Sequence, residues 1–354
     1  MAVRVLPGPA VRADTIEFRI RGRGDLAAVA LAHELERPRR VPFERARGSW
    51  RLSFPRPDAD RMEYLLGLTR RDGSAQLVPD PANPLRAPGP FGDKSVVELP
   101  GYAPPPWVDD DESPAGTLAP LRLRSRRFGR IEATLWSAPE TDLAEPLPLL
   151  LVHDGPEYAE YSLLLRLLDH LVAFGELPPL RAALLPPPFG ERDDAYSASS
   201  VYARSFAREL LPAILAAAPT GGRRVVGVGA SLGALALLHL HWARTGLLGG
   251  LFLQSGSYFR RRSDRQERHF PRFDRISRFV GVVLRGRGEP EHVPVTVTSG
   301  TVEENRENNR AVAAALQERG WDARLVEHRD AHNWVSWRDT LHPHLAELCL
   351  RAWA

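Results

Sequence analysis

Cysteine and lysine each occur once in the 354 residues. Cys349 has no partner for an internal disulfide. It falls in the apolar pattern of a C-terminal helix, so it reads as a core residue rather than a nucleophile. Lys94 stands alone among 47 lysines and arginines. An arginine bias beside many Ala, Pro and Leu is what a GC-rich genome produces. With a net charge of only +3, it is no argument for a nucleic-acid partner. No apolar run is long enough to span a bilayer, and Met1–Asp14 lacks the apolar core of a signal peptide. The expectation is a cytoplasmic chain without membrane or nucleic-acid partners. Internal repeats and low-complexity tracts are missing too. No cluster of metal ligands and no phosphate loop stands out, so no metal and no organic cofactor is expected.

What is present divides in two. The length suits about two domains. From Thr15 to about Leu99 the chain reads as short strands split by turns. Thr15–Ile20, Trp50–Phe54 and Met62–Leu68 alternate apolar and polar residues, and Arg71-Asp72-Gly73-Ser74 is a turn signal. This spacing predicts a small all-β sandwich over residues 1–110. Proline-rich stretches and the acidic run Asp109–Pro114 follow, with a solvated linker expected at 111–117. From residue 118 to 354 strands and helices alternate. That pattern predicts an α/β fold, a mostly parallel sheet with helices on both faces. Ligands of such sheets bind at the C-terminal ends of the strands.

The most informative stretch is Arg223–Leu238. A valine run reads as a buried strand, Gly229-Ala230-Ser231-Leu232-Gly233 makes a tight turn, and an Ala/Leu-rich helix follows. Strand, turn and helix around Gly-x-Ser-x-Gly make a nucleophile elbow, with Ser231 raised at the sheet edge. The bland alternative is a glycine-rich turn with a surface serine. A serine nucleophile needs an imidazole base, and the base needs an acid to orient it. The order serine, acid, histidine is met downstream. Glu303 and Glu304 follow the strand Val293–Thr298, and His332 follows the strand near Val326. Either glutamate fits as the acid, while Asp330 stands too close to His332 in sequence. His239 and His241, inside the post-elbow helix, read as structural. Oxyanion donors are expected from the Leu232 amide and from the loop His153-Asp154-Gly155-Pro156. Pro156 has no N–H, which leaves Gly155; the alternative there is an ordinary Asp-Gly turn.

These residues resemble the esterase family of α/β-hydrolases that includes enterochelin esterase. The resemblance rests on Leu151–Gly155, Gly229–Gly233, Gln254-Ser255-Gly256-Ser257, Gly300–Glu303 and His332–Arg338, and it spans about residue 118 to the C-terminus. More weakly, the N-terminal region resembles the same family's N-terminal domain. The resemblance implies an α/β-hydrolase catalytic domain and a serine esterase acting on a carboxylic ester or lactone. It implies Ser231 as nucleophile, His332 as base and Glu303 as acid. It also implies Arg192, Tyr196, Asp154 and Trp337 around the substrate, and a ferric siderophore as one substrate class. A generic carboxylesterase, an acyltransferase and a non-catalytic binding protein are the alternatives. From Arg260 to Arg278 eight arginines face three acids. That run reads either as a rim attracting an anionic substrate or as a solvated basic surface. The sequence leaves the oligomeric state open.

Overall fold

A computed structural model of the chain describes residues 8–354 apart from 23, 36 and 289. The signal-peptide reading of Met1–Asp14 falls partly on residues 1–7, outside the described residues. By contact density the chain forms two units. The smaller comprises residues 1–103 with 300–304 and 328–336, and the larger comprises the rest.

Among its described residues the smaller unit holds ten strands: β1 (Ala10–Val11), β2 (Thr15–Arg21), β3 (Leu26–His33), β4 (Arg40–Pro42), β5 (Glu44–Ala46), β6 (Ser49–Pro55), β7 (Arg61–Arg70), β8 (Ala75–Val78), β9 (Arg86–Ala87) and β10 (Lys94–Glu98). They make one sheet ordered β1-β2-β6-β5 and another ordered β4-β3-β7-β10-β9, with β8 on β7. The predicted alternation has a direct outcome. Ile16 and Phe18 of β2 are buried while Arg19 is exposed. They share a core with Leu52 of β6 and with Leu31, Met62, Tyr64 and Leu66 of the second sheet. Phe18 meets Tyr64 edge to face, ring centroids 5.1 Å apart. The all-β sandwich expected here is what forms. Strand β7 departs from simple alternation, because Arg61 and Glu63 are buried as well as Met62 and Tyr64. Residues 328–336 return to this unit and supply the covering groups, as described below.

The larger unit is built on β11 (Thr117–Ser125), β12 (Gly129–Ser137), β13 (Leu149–His153), β14 (Arg181–Leu185), β15 (Val225–Ala230), β16 (Leu248–Gln254), β17 (Val295–Gly300) and β18 (Ala323–His328). The sheet order is β11-β12-β14-β13-β15-β16-β17-β18. The β11–β12 hairpin is antiparallel and joins β14 antiparallel, and the β14 to β17 stretch is parallel. Strand β13 is buried along its whole length, as a strand covered on both faces must be.

The helices are α1 (Gly155–Tyr161), α2 (Leu164–Ala173), α3 (Arg192–Tyr196), α4 (Ser200–Ser205), α5 (Leu211–Ala217), α6 (Leu232–Ala243), α7 (Phe273–Leu284), α8 (Arg306–Gln317), α9 (Trp334–Asp339) and α10 (His344–Trp353). They cover both faces. In the β15–β16 register Gly227 opposes Leu251 and Val226 opposes Gly250. Gly227 and Gly250 therefore turn to opposite faces. A Cβ on Gly227 would strike Leu237 of α6, and one on Gly250 would strike Ala352 of α10, each at 2.9 Å. Helix α6 is buried nearly all round, which explains its lack of an amphipathic stripe.

Three local patterns resolve differently in the fold. The helical periodicity of Tyr161–Phe174 predicts one helix; the structure has α1 and α2, separated by Leu163 in the left-handed region. The pattern of Ser205–Ala218 also predicts a helix; it begins earlier, as α4, and passes through one π turn at Phe206–Leu210 into α5. The pattern of Ser336–Leu350 predicts a single helix; it is α9 and α10, interrupted before Pro343, which cannot donate to a continuing ladder. Cys349 lies in α10, fully buried, and burial pushes its thiol up. The acidic run is not wholly solvated. Asp110 pairs with His170 at 2.6 Å and takes bonds from Ser113, and Gly116 donates to Asp169. Among the described residues no helix is long and apolar enough to cross a membrane.

Leu237 shows no exposed surface and abuts two glycines of β15, Gly227 and Gly229. Leu237→Ala is expected to cost about 2–5 kcal/mol in urea unfolding, against under about 1 kcal/mol for Leu350→Ala, which is half exposed. Equal costs would contradict this account of the core.

Candidate active site

Ser231 joins β15 to α6 at φ 54° and ψ −120°. A non-glycine residue there stores about 1–3 kcal/mol of strain, which persists only where the surroundings enforce it. The surroundings are visible. A Cβ on Gly229 would lie 2.8 Å from the carbonyl carbon of Gly233, so strand and helix touch through glycine backbones. The Ser231 N–H donates to the Gln254 carbonyl at 2.8 Å, and its own carbonyl accepts from Ser257 N–H at 3.1 Å. The Ser231 side chain is partly exposed, and its Oγ lies 3.0 Å from the Ser257 Oγ. Leu232 opens α6, whose first turn has no side-chain cap, leaving its N–H groups available.

The strand beside β15 ends in the same way. β13 runs parallel to β15 and delivers Asp154, in the left-handed region, into α1 at Gly155. A Cβ on Gly155 would sit 2.4 Å from Leu184 Cα, so only glycine fits. A Cβ on Gly233 would meet Asp154 Oδ2 at 3.1 Å. The starts of α1 and α6, carrying Gly155 and Leu232, thus converge beside Ser231. Asp154 is buried and takes a two-pronged bond from Arg192, Nε to Oδ1 at 2.9 Å and Nη2 to Oδ2 at 2.7 Å. Burial opposes the guanidinium charge, but the bonds and attraction to Asp154 raise its pKa. Arg192 also lies over the Tyr196 ring.

Tyr196 and Trp337 have occupations inside the fold. Tyr196 is fully buried and stacks on His153, centroids 4.7 Å apart. Trp337 is buried, and its indole N–H donates to Ser255 Oγ at 3.0 Å while its carbonyl accepts from Gln254 Nε2. His153 is fully buried. It shares a hydrogen bond with Tyr202 Oη at 2.9 Å, and burial lowers its pKa to about 4.

In the smaller unit, Glu303 is fully buried at its side chain, and His332 Nδ1 lies 3.3 Å from its Oε2. Glu304 turns elsewhere, to Arg37 at 2.9 Å and Arg39 at 2.5 Å. Asp330 does not face this pair through its own bonds. It accepts from Ala331 N–H and Asn333 Nδ2 and lies 3.5 Å from Arg61. His239 packs edge-on against Phe279. His241 bonds the Glu291 carbonyl.

Two contributors escaped sequence reasoning. The sequence gives Ser257 no role of its own, although a Ser-Gly-Ser at the end of the strand next to the elbow is the available signal. His153 carried no signal, since its burial depends on Tyr196, Tyr202 and Phe206 closing around it.

The Arg260–Arg278 segment forms a short helical turn and the start of α7. It borders a groove of about 660 Å³ lined by Arg261, Arg268, Arg272, Arg275 and Arg278, with Asp274 the one acid in the lining. Arg261 pairs with Asp274, and Arg272 and Arg275 pair with Asp194.

No family model matches the chain, and no curated protein matches it in sequence. Solved structures do. The enterochelin esterase from Shigella flexneri is similar over 96% of this chain and 95% of that one, with 20% identity and a TM-score of 0.75. The ferric enterobactin esterase from Salmonella typhimurium covers 99% and 97%, with 20% identity and a TM-score of 0.75. A ferulic acid esterase covers 67% and 98%, with 17% identity and a TM-score of 0.55. At these identities the likeness shows the fold, that of an α/β-hydrolase preceded by an all-β region.

His153 gives a pH test. Its folded pKa lies below its ordinary 6.5, so unfolding takes up a proton at pH 5. The stability it contributes is complete above pH 6.5 and is lost as pH falls towards about 4. His153→Asn is expected to lose about 2 kcal/mol less than the parent between pH 7 and pH 4.5 in urea titrations. An unchanged difference between the two pH values would remove His153 from the balance.

Proposed function

We propose that the chain is a serine esterase in which Ser231, His332 and Glu303 act as nucleophile, base and acid. The observation that carries this reading is Ser231 itself, held at a positive φ between β15 and α6 beside two uncapped helix starts. Strain of this kind at a strand–helix turn is the mark of an exposed nucleophile. The facing of His332 Nδ1 and the buried Glu303 supports the rest. With Nδ1–H directed at Glu303, Nε2 is left as the acceptor for the serine proton.

The mechanism follows. Ser231 Oγ attacks the ester carbonyl carbon as His332 Nε2 takes its proton. The negative oxygen is held by the amides of Leu232 and Gly155, which cost no reorganisation because both are fixed in helix starts. The tetrahedral intermediate collapses, His332 returns the proton to the leaving alcohol, and an acyl-enzyme remains. Water, activated by the same histidine, releases the acid. Asp154 next to such a hole would repel an oxyanion, so its pairing with Arg192 supports a role for Arg192 in neutralising that wall. Tyr196 and Trp337 support the site through buried contacts: one braces His153, the other the Ser255 turn.

The substrate class we propose is an acidic ester of the siderophore kind. Two things support it. Enterobactin and enterochelin esterases are among the solved structures similar to this chain. The Arg-lined groove begins a few residues beyond Ser257, and Arg268 and Arg278 make no ion pair among the described residues. A neutral carboxylic ester, or acyl transfer to an alcohol, uses the same triad.

Ser231→Ala and His332→Ala are each expected to lower turnover of p-nitrophenyl butyrate on the order of a millionfold, and Glu303→Gln less. A fluorophosphonate probe should label the parent and not Ser231→Ala. Wild-type turnover by Ser231→Ala would end the serine reading, and an unlabelled parent would favour a binding protein.

For the substrate charge, kcat/KM of a matched anionic and neutral ester pair is compared across a salt series. The anionic member should lose its advantage, about tenfold or more, as salt rises, and the Arg268→Ala/Arg278→Ala variant should narrow the ratio at low salt. Identical salt responses would mark the groove as ordinary solvated surface.

A further inference from the structure

The mechanism leaves unused a chain of buried charges on β7. Arg61 is 3% exposed and Glu63 6%. Sequence patterning would assign both to a solvated strand face, and burying them carries a desolvation cost that only good partners offset. The Arg61 Nη1 donates to Glu63 Oε1 at 3.0 Å and to Asn333 Oδ1 at 3.0 Å, and lies 3.5 Å from Asp330 Oδ2. Glu63 in turn takes Lys94 Nζ at 3.3 Å, and Lys94 also pairs with Glu34.

The far end of this chain is the turn that carries His332. Asp330 Oδ1 accepts from Ala331 N–H at 2.7 Å and from Asn333 Nδ2 at 3.1 Å. Asn333 Oδ1 also accepts Ser336 N–H at 2.8 Å, in the first turn of α9. Residues 330 and 333 therefore bracket His332, and both bind one guanidinium. The neighbouring contacts run the same way. Asp60 N–H donates to the Arg329 carbonyl, and the Arg329 guanidinium meets Asp58 and Asp60. Ala331, Val302 and Val335 pack on apolar residues of the sandwich. On the acid's side, Glu304 is held by Arg37 and Arg39.

We propose that Arg61 is a positioning residue: through Glu63, Asn333 and Asp330 it fixes the turn bearing His332, so that the sandwich holds the base in line with its acid. The inference rests on the serine-esterase reading above. Its physical logic is that a stability role alone would be served as well by apolar side chains of the same volume, whereas a buried guanidinium whose Nη1 is shared by Glu63, Asn333 and Asp330 fixes a geometry. Burial pushes the Asp330 carboxyl up to about 7, with Arg61 opposing that rise. A shift of about 1 Å in a catalytic group can cost about 100-fold in rate.

The test uses the full chain carrying Arg61→Met, Glu63→Gln and Asp330→Asn together, which removes the anchor without stranding a charge. It is read with p-nitrophenyl butyrate and a fluorophosphonate probe, and folding is read by circular dichroism and melting temperature. The folded variant is expected to lose about 30- to 100-fold in kcat and to slow in probe labelling, with KM within about twofold. Arg61→Lys keeps the charge but not the planar guanidinium that carries Nη1 to Glu63, Asn333 and Asp330, and should fall between the variant and the parent. A folded triple variant with parental kcat overturns the proposal. So does a rise in KM at constant kcat, which would make Arg61 a substrate contact. Should the triple variant not fold, Arg61→Lys decides: parental kcat overturns the proposal, and a loss of about fivefold or more at constant KM upholds it. Ser231→Ala and His332→Ala run alongside separate the two failures. If they keep parental turnover, the esterase reading itself fails. If they are inactive while folded Arg61 variants are fully active, only the positioning role fails.

Discussion

The contact of Gly229 with Gly233 is the constraint on which the larger unit turns. It brings β15 and α6 so close that the residue between them has no ordinary backbone conformation open to it. Ser231 is held at φ 54° by neighbours that surround α6 on every side. Two backbone bonds, to Gln254 and from Ser257, lock the peptide groups that flank the strained residue. Each bond is worth about 1 kcal/mol, comparable with the strain they retain. The helix packing supplies the rest, since Leu235, Leu237 and Leu238 are all without exposed surface. The stress therefore sits at Ser231, the residue between the strand and the helix.

Buried charge is the second theme, and it is handled by pairing. Asp154 takes both prongs of Arg192, and Arg61 takes Glu63, Asn333 and Asp330. Neither arrangement is economical as stabilisation, because two ions removed from water recover little more than their desolvation cost. What both gain is direction. The two-pronged bond from Arg192 admits one orientation of the Asp154 carboxylate, and the shared Nη1 of Arg61 ties Asn333 and Asp330 to one point on β7.

The arginine bias of the chain takes on meaning only residue by residue. Arg181 is buried and donates to the carbonyls of Glu145 and Asp142, closing a loop end. Arg275 donates to the carbonyls of Ser197 and Asp194. Arg310 bridges Glu307 and Glu327 on the surface. A count of arginines cannot separate these uses from an anion-attracting groove, because charge in a composition carries no position.

The sequence by itself determined the elements whose signals are local. The period-two alternation of Thr15–Ile20, the valine run before Ser231 and the apolar run of β13 each specify strands through their own side chains. Gly-x-Ser-x-Gly specifies the turn, because two missing Cβ atoms are a property of the motif. The β–α alternation then follows from packing faces that have no other stable arrangement. Tertiary structure alone decided the break at Leu163 and the π turn at Phe206–Leu210. In each case packing overrode a continuous helical pattern. It alone showed that Ser257 lies on Ser231, that Glu303 rather than Glu304 faces His332, and that Arg61 reaches Asn333 across 272 positions. Bonds of that separation leave no periodic trace. Their partners are polar residues which, read locally, belong to the surface, and only the closed fold removes the water that would otherwise have solvated them.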